Sequence, residues 1–496
     1  MRFNGKILII GCGSVSQCAI PLILQLIHAD PKDITVMDYV DNRAKIQDAL
    51  AQGVQYKVQR LTPDNYEALL SELTSEGHLI FDLAWNIECV SIVDWCRSNG
   101  VLYLNTSVEE WDPYVDEKRS DPTRYTLYKR HMDLQAMMQE WHTNDGPTAI
   151  VDHGANPGLV SHFTKHALID ICNKILDEKP NDPRAGALRE ALDQRAFNQL
   201  AMLAGVKVIH ISERDTQITD KPKKVNEFVN TWSIEGLFEE GVAPAELGWG
   251  THERYIPERA VFHKHGPRNQ ICLRRIGMKT WVRSWVPSGE ITGMVIRHGE
   301  AFSISDRLTV WDGTDAIYRP TVHYAYCPSD VAINSLHELE MRQYRLQQQQ
   351  RIMSDEIIDG ADELGVLLMG HDFNAWWCGS LLSIHDARKH VPGQQATTLQ
   401  VAISVVAAAM WMIKHPMQGL RLPDDIDHEE VLKTCIPYIS PFVSMPVDWT
   451  PLKDFNPKFT HGTQQVPAAE DVWQFTTFLV DPSEQERSRS FAEASF

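Results

Sequence analysis

Basic side chains are scarce in this chain. Its 496 residues carry 47 Lys and Arg against 66 Asp and Glu, a formal net charge of -19. A surplus of that sign repels nucleic-acid phosphates and anionic membrane surfaces and attracts cationic small molecules. Long apolar runs are missing too. The longest, Val401 to Ile413, is broken by Ser404 and falls short of the roughly 20 residues that cross a bilayer, so it reads as a buried helix. Cysteine is thinly spread: nine residues, an odd number, lie between Cys12 and Cys435 with no C-x-x-C pair. That spacing argues against structural zinc and a disulfide framework, and for reduced thiols in a cytoplasm. There is no H-E-x-x-H, G-x-S-x-G or P-loop lysine motif, which withdraws support from zinc hydrolases, serine hydrolases and nucleotide kinases. Internal repeats are absent as well. Arg2 and Lys6 precede an apolar run, but Gly11, Gly13, Ser14 and Ser16 interrupt it early, so no secretory signal is expected there.

What is present begins at that interruption. Ile7 to Ile10 feeds the turn Gly11-Cys12-Gly13-Ser14-Val15-Ser16, and Asp38 closes a second apolar run, Ile34 to Met37. A dinucleotide-binding entry needs a small first residue for a tight turn, a second glycine where backbone approaches pyrophosphate, and a small third residue where helix meets sheet. The third place is Ser16, which still packs closely and whose hydroxyl could face a phosphate. An acid at Asp38 accepts hydrogen bonds from ribose hydroxyls and repels a 2'-phosphate, favouring NAD over NADP. An ordinary strand-turn-helix is the plainer alternative.

Beyond the turn, strands and helices alternate: helix to about Ile27, strand Ile34 to Met37, a helix begun by Asp41 or Asn42, strand Val54 to Val58, helix Asn65 to Leu73, strand Leu79 to Leu83, helix Glu88 to Ser98, strand Leu102 to Leu104. The spacing predicts an α/β fold with a doubly wound, parallel, Rossmann-type sheet over 1–150, binding its ligand at the carboxyl ends of the strands. Cofactor-binding candidates are therefore Gly11, Gly13, Ser14, Val15, Ser16, Asp38, Thr106 and Ser107. From about Asp152 the pattern shifts to mixed segments, with strand-like stretches at Val206 to Ser212, Gln270 to Arg275, Thr280 to Val286 and Ile291 to Ile296. These predict a second, α+β domain over 151–395 for substrate binding and dimerisation. Arg342 to Arg351 reads as a polar helix or loop. The helix near 397–413 is expected to return to the first domain, with 414–496 as an extension and a mobile tail after Val480.

A nucleotide fold licenses no particular reaction. Val151 to Gly158 forms a compact turn in which Pro157 and two glycines would hold the amide of Asn156 rigidly. Asn226 to Glu253 mixes aromatic rings with carboxylates, a composition suited to an ammonium cage. Singly these signals have plain readings: Trp232 as a core ring, Glu109, Glu213 and Glu240 as surface charges, His298 as a satisfied core imidazole.

Taken together the motifs resemble the bacterial homospermidine synthases, within the wider saccharopine-dehydrogenase-like group. The carriers are the amino-terminal G-x-G-x-x-S, Thr106-Ser107-Val108-Glu109-Glu110-Trp111, His153 to Gly158, Asn230-Thr231-Trp232-Ser233, Glu246 to Glu253 and Gly365 to His371, and the likeness covers nearly the whole chain. The resemblance implies condensation of two putrescines to homospermidine with loss of ammonia, or of putrescine with an aminobutyl donor such as spermidine. NAD would serve as a redox-neutral prosthetic group, no metal would be needed, and the enzyme would be a homodimer. It also implies catalytic roles for Trp232, Glu213, Asn156, Glu240 and His298, and substrate contacts by Glu109 and Asn86, the last standing where the family is expected to carry aspartate. Two alternatives stay open. A saccharopine- or carboxyspermidine-type reductive amination would need Arg clamps, for which Arg214, Arg254 and Arg297 are available; a non-catalytic NAD-binding protein would need none of these roles.

Overall fold

The computed structural model describes residues 1–112, 121–454, 467–480 and 489–490. The α/β reading holds: seven parallel strands form the first sheet in the order Leu420–Arg421, Ala149–Ile150, Leu102–Asn105, Leu79–Asp82, Ile7–Ile10, Ile34–Asp38, Gln55–Val58. The inner strands Ile7–Ile10, Leu79–Asp82 and Leu102–Asn105 are buried throughout. Helices cover both faces of such a sheet, which is why these strands are continuous apolar runs in the sequence rather than alternating ones. The strand order reverses at Ile7–Ile10, so the crevice beside the Gly11 turn opens at the switch point.

The chain beyond 414 serves both sheets instead of standing apart. Leu420–Arg421 completes the first sheet, and Phe442–Val447 pairs with Asn374–Ser383 in the second. Between these lies the helix His428–Ile439, packed on Ala396–Lys414, which in turn packs on the first helix, Ser14–Leu26. Ala396–Lys414 is long and apolar enough to cross a membrane by length and composition, yet 83% of its apolar window is buried inside the protein. Each Val, Leu or Ile buried along it is worth about 1.5–3 kcal/mol. One core cluster unites Ile9 and Leu104 of the first sheet, Val405 and Val406 of this helix, and Ile211 and Val366 of the second sheet.

The second sheet has ten strands and mixed direction. At its centre Val208–Asp215 runs parallel to Thr321–Cys327 and antiparallel to Ala361–His371. The period of two sets what each face carries. Ile209 and Ile211 face the shared core, and Glu213 and Asp215 follow them on that side; Val208 faces a separate core with Leu367 and Trp377. By the same alternation Arg214 stands on the face opposite Glu213.

The four expected strand segments are present as Val208–Asp215, Gln270–Ile276, Trp281–Val286 and Gly289–Met294. The expected polar helix or loop over Arg342 to Arg351 is corrected at its end: Gln349–Ile352 is a strand, parallel to Glu227–Asn230, and Arg351 Nε donates to Glu227 at 2.9 Å. The tail after Val480 lies outside the described residues except for Arg489–Ser490, which pair with Tyr255–Ile256.

Gly365 and Gly379 face each other across the Ala361–His371 and Asn374–Ser383 strands, where the fully buried Trp377 ring occupies the space a Cβ would need. Gly365→Ala is expected to lower unfolding free energy by about 1–3 kcal/mol through overpacking. Urea denaturation measures this; an unchanged midpoint would mean the Trp377 ring shifts freely.

Candidate active site

The glycine turn has the geometry a dinucleotide needs. Gly11 sits at φ +90°, donates its N–H to Met37 O at 2.8 Å, and would bring a Cβ to 2.9 Å from Leu83 O. Gly13 is open, with nothing within 4 Å of where a Cβ would lie, and no side chain caps the helix that begins at Ser14. The first-turn amides of Ser14, Val15 and Ser16 therefore face an anion-receptive space. Asp38 is fixed beside it: its Oδ2 accepts from Cys12 N–H at 2.6 Å and its Oδ1 from Val40 N–H at 2.8 Å. Ser16 is fully buried with its hydroxyl unpartnered, so it fills the helix-packing place; the expectation that this hydroxyl could face a phosphate is corrected. Thr106 borders Gly154, whereas the Ser107 hydroxyl is engaged with Glu109 Oε1 at 2.8 Å.

Across the crevice, the second sheet and its helices bring five sequence-predicted residues into one continuous set of contacts. Asn156 Nδ2 donates to Glu213 Oε2 at 2.9 Å, and Tyr324 OH donates to the same oxygen. Tyr324 stacks on Tyr326 with ring centroids 5.1 Å apart, and Trp232 Nε1 donates to Tyr326 OH at 3.0 Å. The other side of Tyr324 meets the His298 ring at 4.3 Å. His298 lies between two carboxylates, with Nε2 at 3.2 Å from Glu240 and Nδ1 at 3.3 Å from Glu300.

Burial sets the proton affinities here. It pushes the Glu213 carboxyl up to about 7, against the lowering pull of Tyr324, with Asp215 adding repulsion. Burial likewise raises Asp215 on the same strand face, and lifts Asp362, its cross-strand partner, well above the carboxylate range with added repulsion from Glu213 and Asp215. Glu240 is raised by burial too. His298 moves the other way from a usual buried imidazole: desolvation disfavours its charge, but Glu300 and Glu240 outweigh that and hold it protonated well above 6.5.

Glu109 and Asn86 belong to a neighbouring group at the carboxyl ends of the first sheet. Glu109 is 3.5 Å from Arg130 Nη1, and burial raises its carboxyl. Arg130 also reaches Glu239 Oε1 at 2.9 Å, while Trp85 Nε1 donates to Glu239 Oε2 at 3.0 Å. Asn86 adopts φ 59° with a buried, unpartnered Oδ1.

Several sequence signals resolve differently. From the aromatic and acidic stretch Asn226 to Glu253, Trp232, Glu239 and Glu240 reach this region, and Thr231 Oγ1 donates to Asp215 at 2.6 Å. Glu246 accepts from Leu127 N–H at 2.7 Å and Tyr128 N–H at 3.2 Å at a helix start, Trp249 joins the far core, and Glu253 binds Thr321 Oγ1 at 2.6 Å. Of the three Arg clamps, Arg254 pairs with Asp471, Arg297 pairs with Glu239, and Arg214 meets Ser288 on the opposite face. Among the described residues no His, Cys, Asp and Glu group has metal-binding geometry. Sequence reasoning passed over Asp215, Asp362, Tyr324 and Tyr326. For Asp215 the signal was available in Glu213-x-Asp215, a spacing that shares a strand face.

A wall of buried acids and stacked rings facing a dinucleotide-shaped turn suits a cationic substrate undergoing redox chemistry. Comparison with known proteins agrees. The saccharopine dehydrogenase NADP binding domain matches residues 7–150 and the saccharopine dehydrogenase C-terminal domain matches 154–442. The homospermidine synthase of Mesorhizobium japonicum is 38% identical over 486 residues, 97% of each chain. That of Blastochloris viridis is 39% identical over 488 residues, 97% of this chain and 98% of its own. The crystal structure of homospermidine synthase from Legionella pneumophila in complex with NAD superposes with a TM-score of 0.83 at 35% identity, covering 97% of this chain and 99% of that one. The chain belongs to the homospermidine synthase family of enzymes.

Proposed function

We propose that this enzyme condenses two putrescines into homospermidine and ammonia with no net oxidation, or, with an aminobutyl donor such as spermidine, putrescine into homospermidine with the donor's remaining diamine as the leaving group. The observation that carries the reading is the Asn156–Glu213–Tyr324 group, a buried carboxyl poised near neutrality beside a fixed indole and a protonated imidazole. NAD fits the residues present: the open space at Gly13, the uncapped first turn after it, and Asp38 held for ribose hydroxyls, whose negative charge speaks against a 2'-phosphate. When bound, NAD supplies the hydride acceptor for amine oxidation and the hydride donor for the final reduction. All nine cysteines are unpaired, which supports a reducing compartment such as the cytoplasm.

The substrate enters as a dication, and its desolvation is offset by Glu213, Asp215 and Asp362. An ammonium nitrogen has no lone pair to support loss of hydride from the adjacent carbon, so one proton leaves first. Glu213 is placed to take it, with Asn156 and Tyr324 fixing its orientation. The resulting iminium carbon is attacked by the neutral amine of the second diamine, and the departing nitrogen needs a proton to leave as ammonia. His298, charged between Glu240 and Glu300, holds that proton. Trp232 offers a π face whose orientation is pinned by Tyr326 and by Gly236 beneath the Cζ3 edge, and stabilises each cationic nitrogen by roughly 0.5–2 kcal/mol. Two diamines less one ammonia account for every atom, and the hydride removed from the first carbon returns to the condensed imine.

Anaerobic incubation with NAD and putrescine is expected to yield homospermidine and ammonia in equal amounts by mass spectrometry, with no lasting nicotinamide absorbance. Product that consumes one added NADH per turnover would instead indicate a reductive amination. Trp232→Ala is expected to lose turnover far more than thermal stability; a variant with normal kcat would remove the ring from the mechanism. The rate should fall as pH drops through about 7, because protonating Glu213 removes the acceptor. Glu213→Gln should cost about 10²–10⁴-fold in kcat and erase that acid limb; a limb that survives in the variant belongs to another group.

A further inference from the structure

Two charged doublets meet in register beside the site. Glu239-Glu240 lies in the helix Ile234–Val242, and Arg297-His298 lies just before the helix Glu300–Arg307. Arg297 pairs with Glu239 and His298 with Glu240. Glu239 is 3% exposed, Arg130 4% and Arg297 5%. Its Oε1 accepts from Arg130 Nη2 at 2.9 Å and from Arg297 Nη2, while its Oε2 accepts from Trp85 Nε1 at 3.0 Å. Arg130 comes from the helix Leu127–Glu140, where it also donates to Val108 O at 2.9 Å, and Arg297 donates to Tyr125 O at 2.7 Å. Trp85 comes from the loop after Leu79–Asp82, at the nucleotide end of the first sheet. One carboxylate thus gathers donors from the cofactor side and the substrate side together.

We propose that Glu239 is a positioning residue for the condensation, holding the Glu240–His298 pair in place and, together with Glu109 and Glu110 at 3.5 Å from Arg130, offsetting the charge of Arg297 and Arg130 so that a dicationic substrate can approach. The inference rests on the polyamine reading above. Two things follow from removing its charge. The guanidiniums lose their shared partner while still buried, which disturbs their geometry and that of the adjacent doublet. The region also gains positive potential, which opposes a diammonium ligand and weakens the hold of His298 on its proton. The groups facing that imidazole are Glu240 and Glu300, the Tyr324 ring, Glu213 behind Tyr324, and the preceding Arg297. With Glu240 and Glu300 outweighing desolvation in the native protein, His298 stays charged well above 6.5, and excess positive charge lowers that point.

The test compares wild type, Glu239→Gln and Glu239→Asp in putrescine turnover, with NAD binding and thermal midpoint recorded for each. In Glu239→Gln, kcat/KM for putrescine should fall by about 10–100-fold, shared between a lower kcat and a higher KM. The alkaline limb of its pH profile, where His298 loses its proton, should move to lower pH by about one unit. Glu239→Asp keeps the charge, so its limb should stay while kcat drops, because the shorter side chain cannot span both arginines. A folded Glu239→Gln with native kcat/KM and an unmoved limb overturns the proposal, as does a variant that loses only thermal stability. If Glu239→Gln fails to fold, native turnover by Glu239→Asp overturns it. Absence of homospermidine from the wild type overturns the underlying functional reading and this role with it, whereas wild-type turnover with an indifferent Glu239→Gln overturns this role alone.

Discussion

The desolvation of carboxylates dominates this molecule. Glu213, Asp215 and Asp362 lie on one inward sheet face with their proton affinities raised by burial, Asp215 adding repulsion at Glu213 and both adding it at Asp362. Hydrogen-bonding such a group costs less than leaving it buried and unpaired, and Tyr324, Asn156, Thr231 and Thr397 supply donors. The cluster remains short of positive charge even so. Its lysine and arginine neighbours are committed elsewhere, Arg297 and Arg130 to Glu239 and Arg214 to the far face. A ligand with two ammonium groups is the complement that this arrangement leaves to be filled.

The scaffold exists to hold that acid face against the nucleotide turn. Period-two alternation puts Glu213 and Asp215 on the same side as Ile209 and Ile211, so the packing that buries the isoleucines also buries the acids. The rings then act as spacers: Tyr326 fixes Trp232 by its indole nitrogen, Tyr324 separates Glu213 from His298, and the two tyrosines stack on each other along one strand. The Ala396–Lys414 helix lies between the two sheets and ties their cores into one, while Thr397 in its first turn bonds directly to Asp362. Structural and chemical residues are therefore interleaved along the same elements.

What could be read from the amino-acid order follows from the range of each interaction. The glycine turn and its acid were legible because φ, close approach and strand spacing are fixed within a few dozen residues, and the parallel sheet followed from alternation. Glu213, Trp232, Asn156, Glu240 and His298 could be named only through motif resemblance, since their partners lie between 57 and 111 positions away in the cases of Asn156–Glu213 and Tyr324–Glu213. Asp362, Tyr324 and Tyr326 carried no local signal; only the register of Val208–Asp215 with its two neighbours places them beside the predicted acids. Glu239 was masked by adjacency to Glu240: on a helix, neighbouring side chains point about 100° apart and so meet different partners. Glu246 and Glu253 resembled site acids in composition, yet backbone amides and a threonine claim them.

The seam between Ala149–Ile150 and Leu420–Arg421 has a consequence for biosynthesis. The nucleotide-binding sheet cannot acquire its last strand, nor its first helix the cover of Ala396–Lys414, until every strand of the second sheet but Phe442–Val447 has been translated. At ribosomal speeds of about 5–20 residues per second, the nucleotide-binding segment up to Ile150 waits on the order of tens of seconds with an open edge and an uncovered apolar face. Such an intermediate exposes the kind of apolar face and open strand edge that chaperones bind, and its long-range closure places this chain among slow folders.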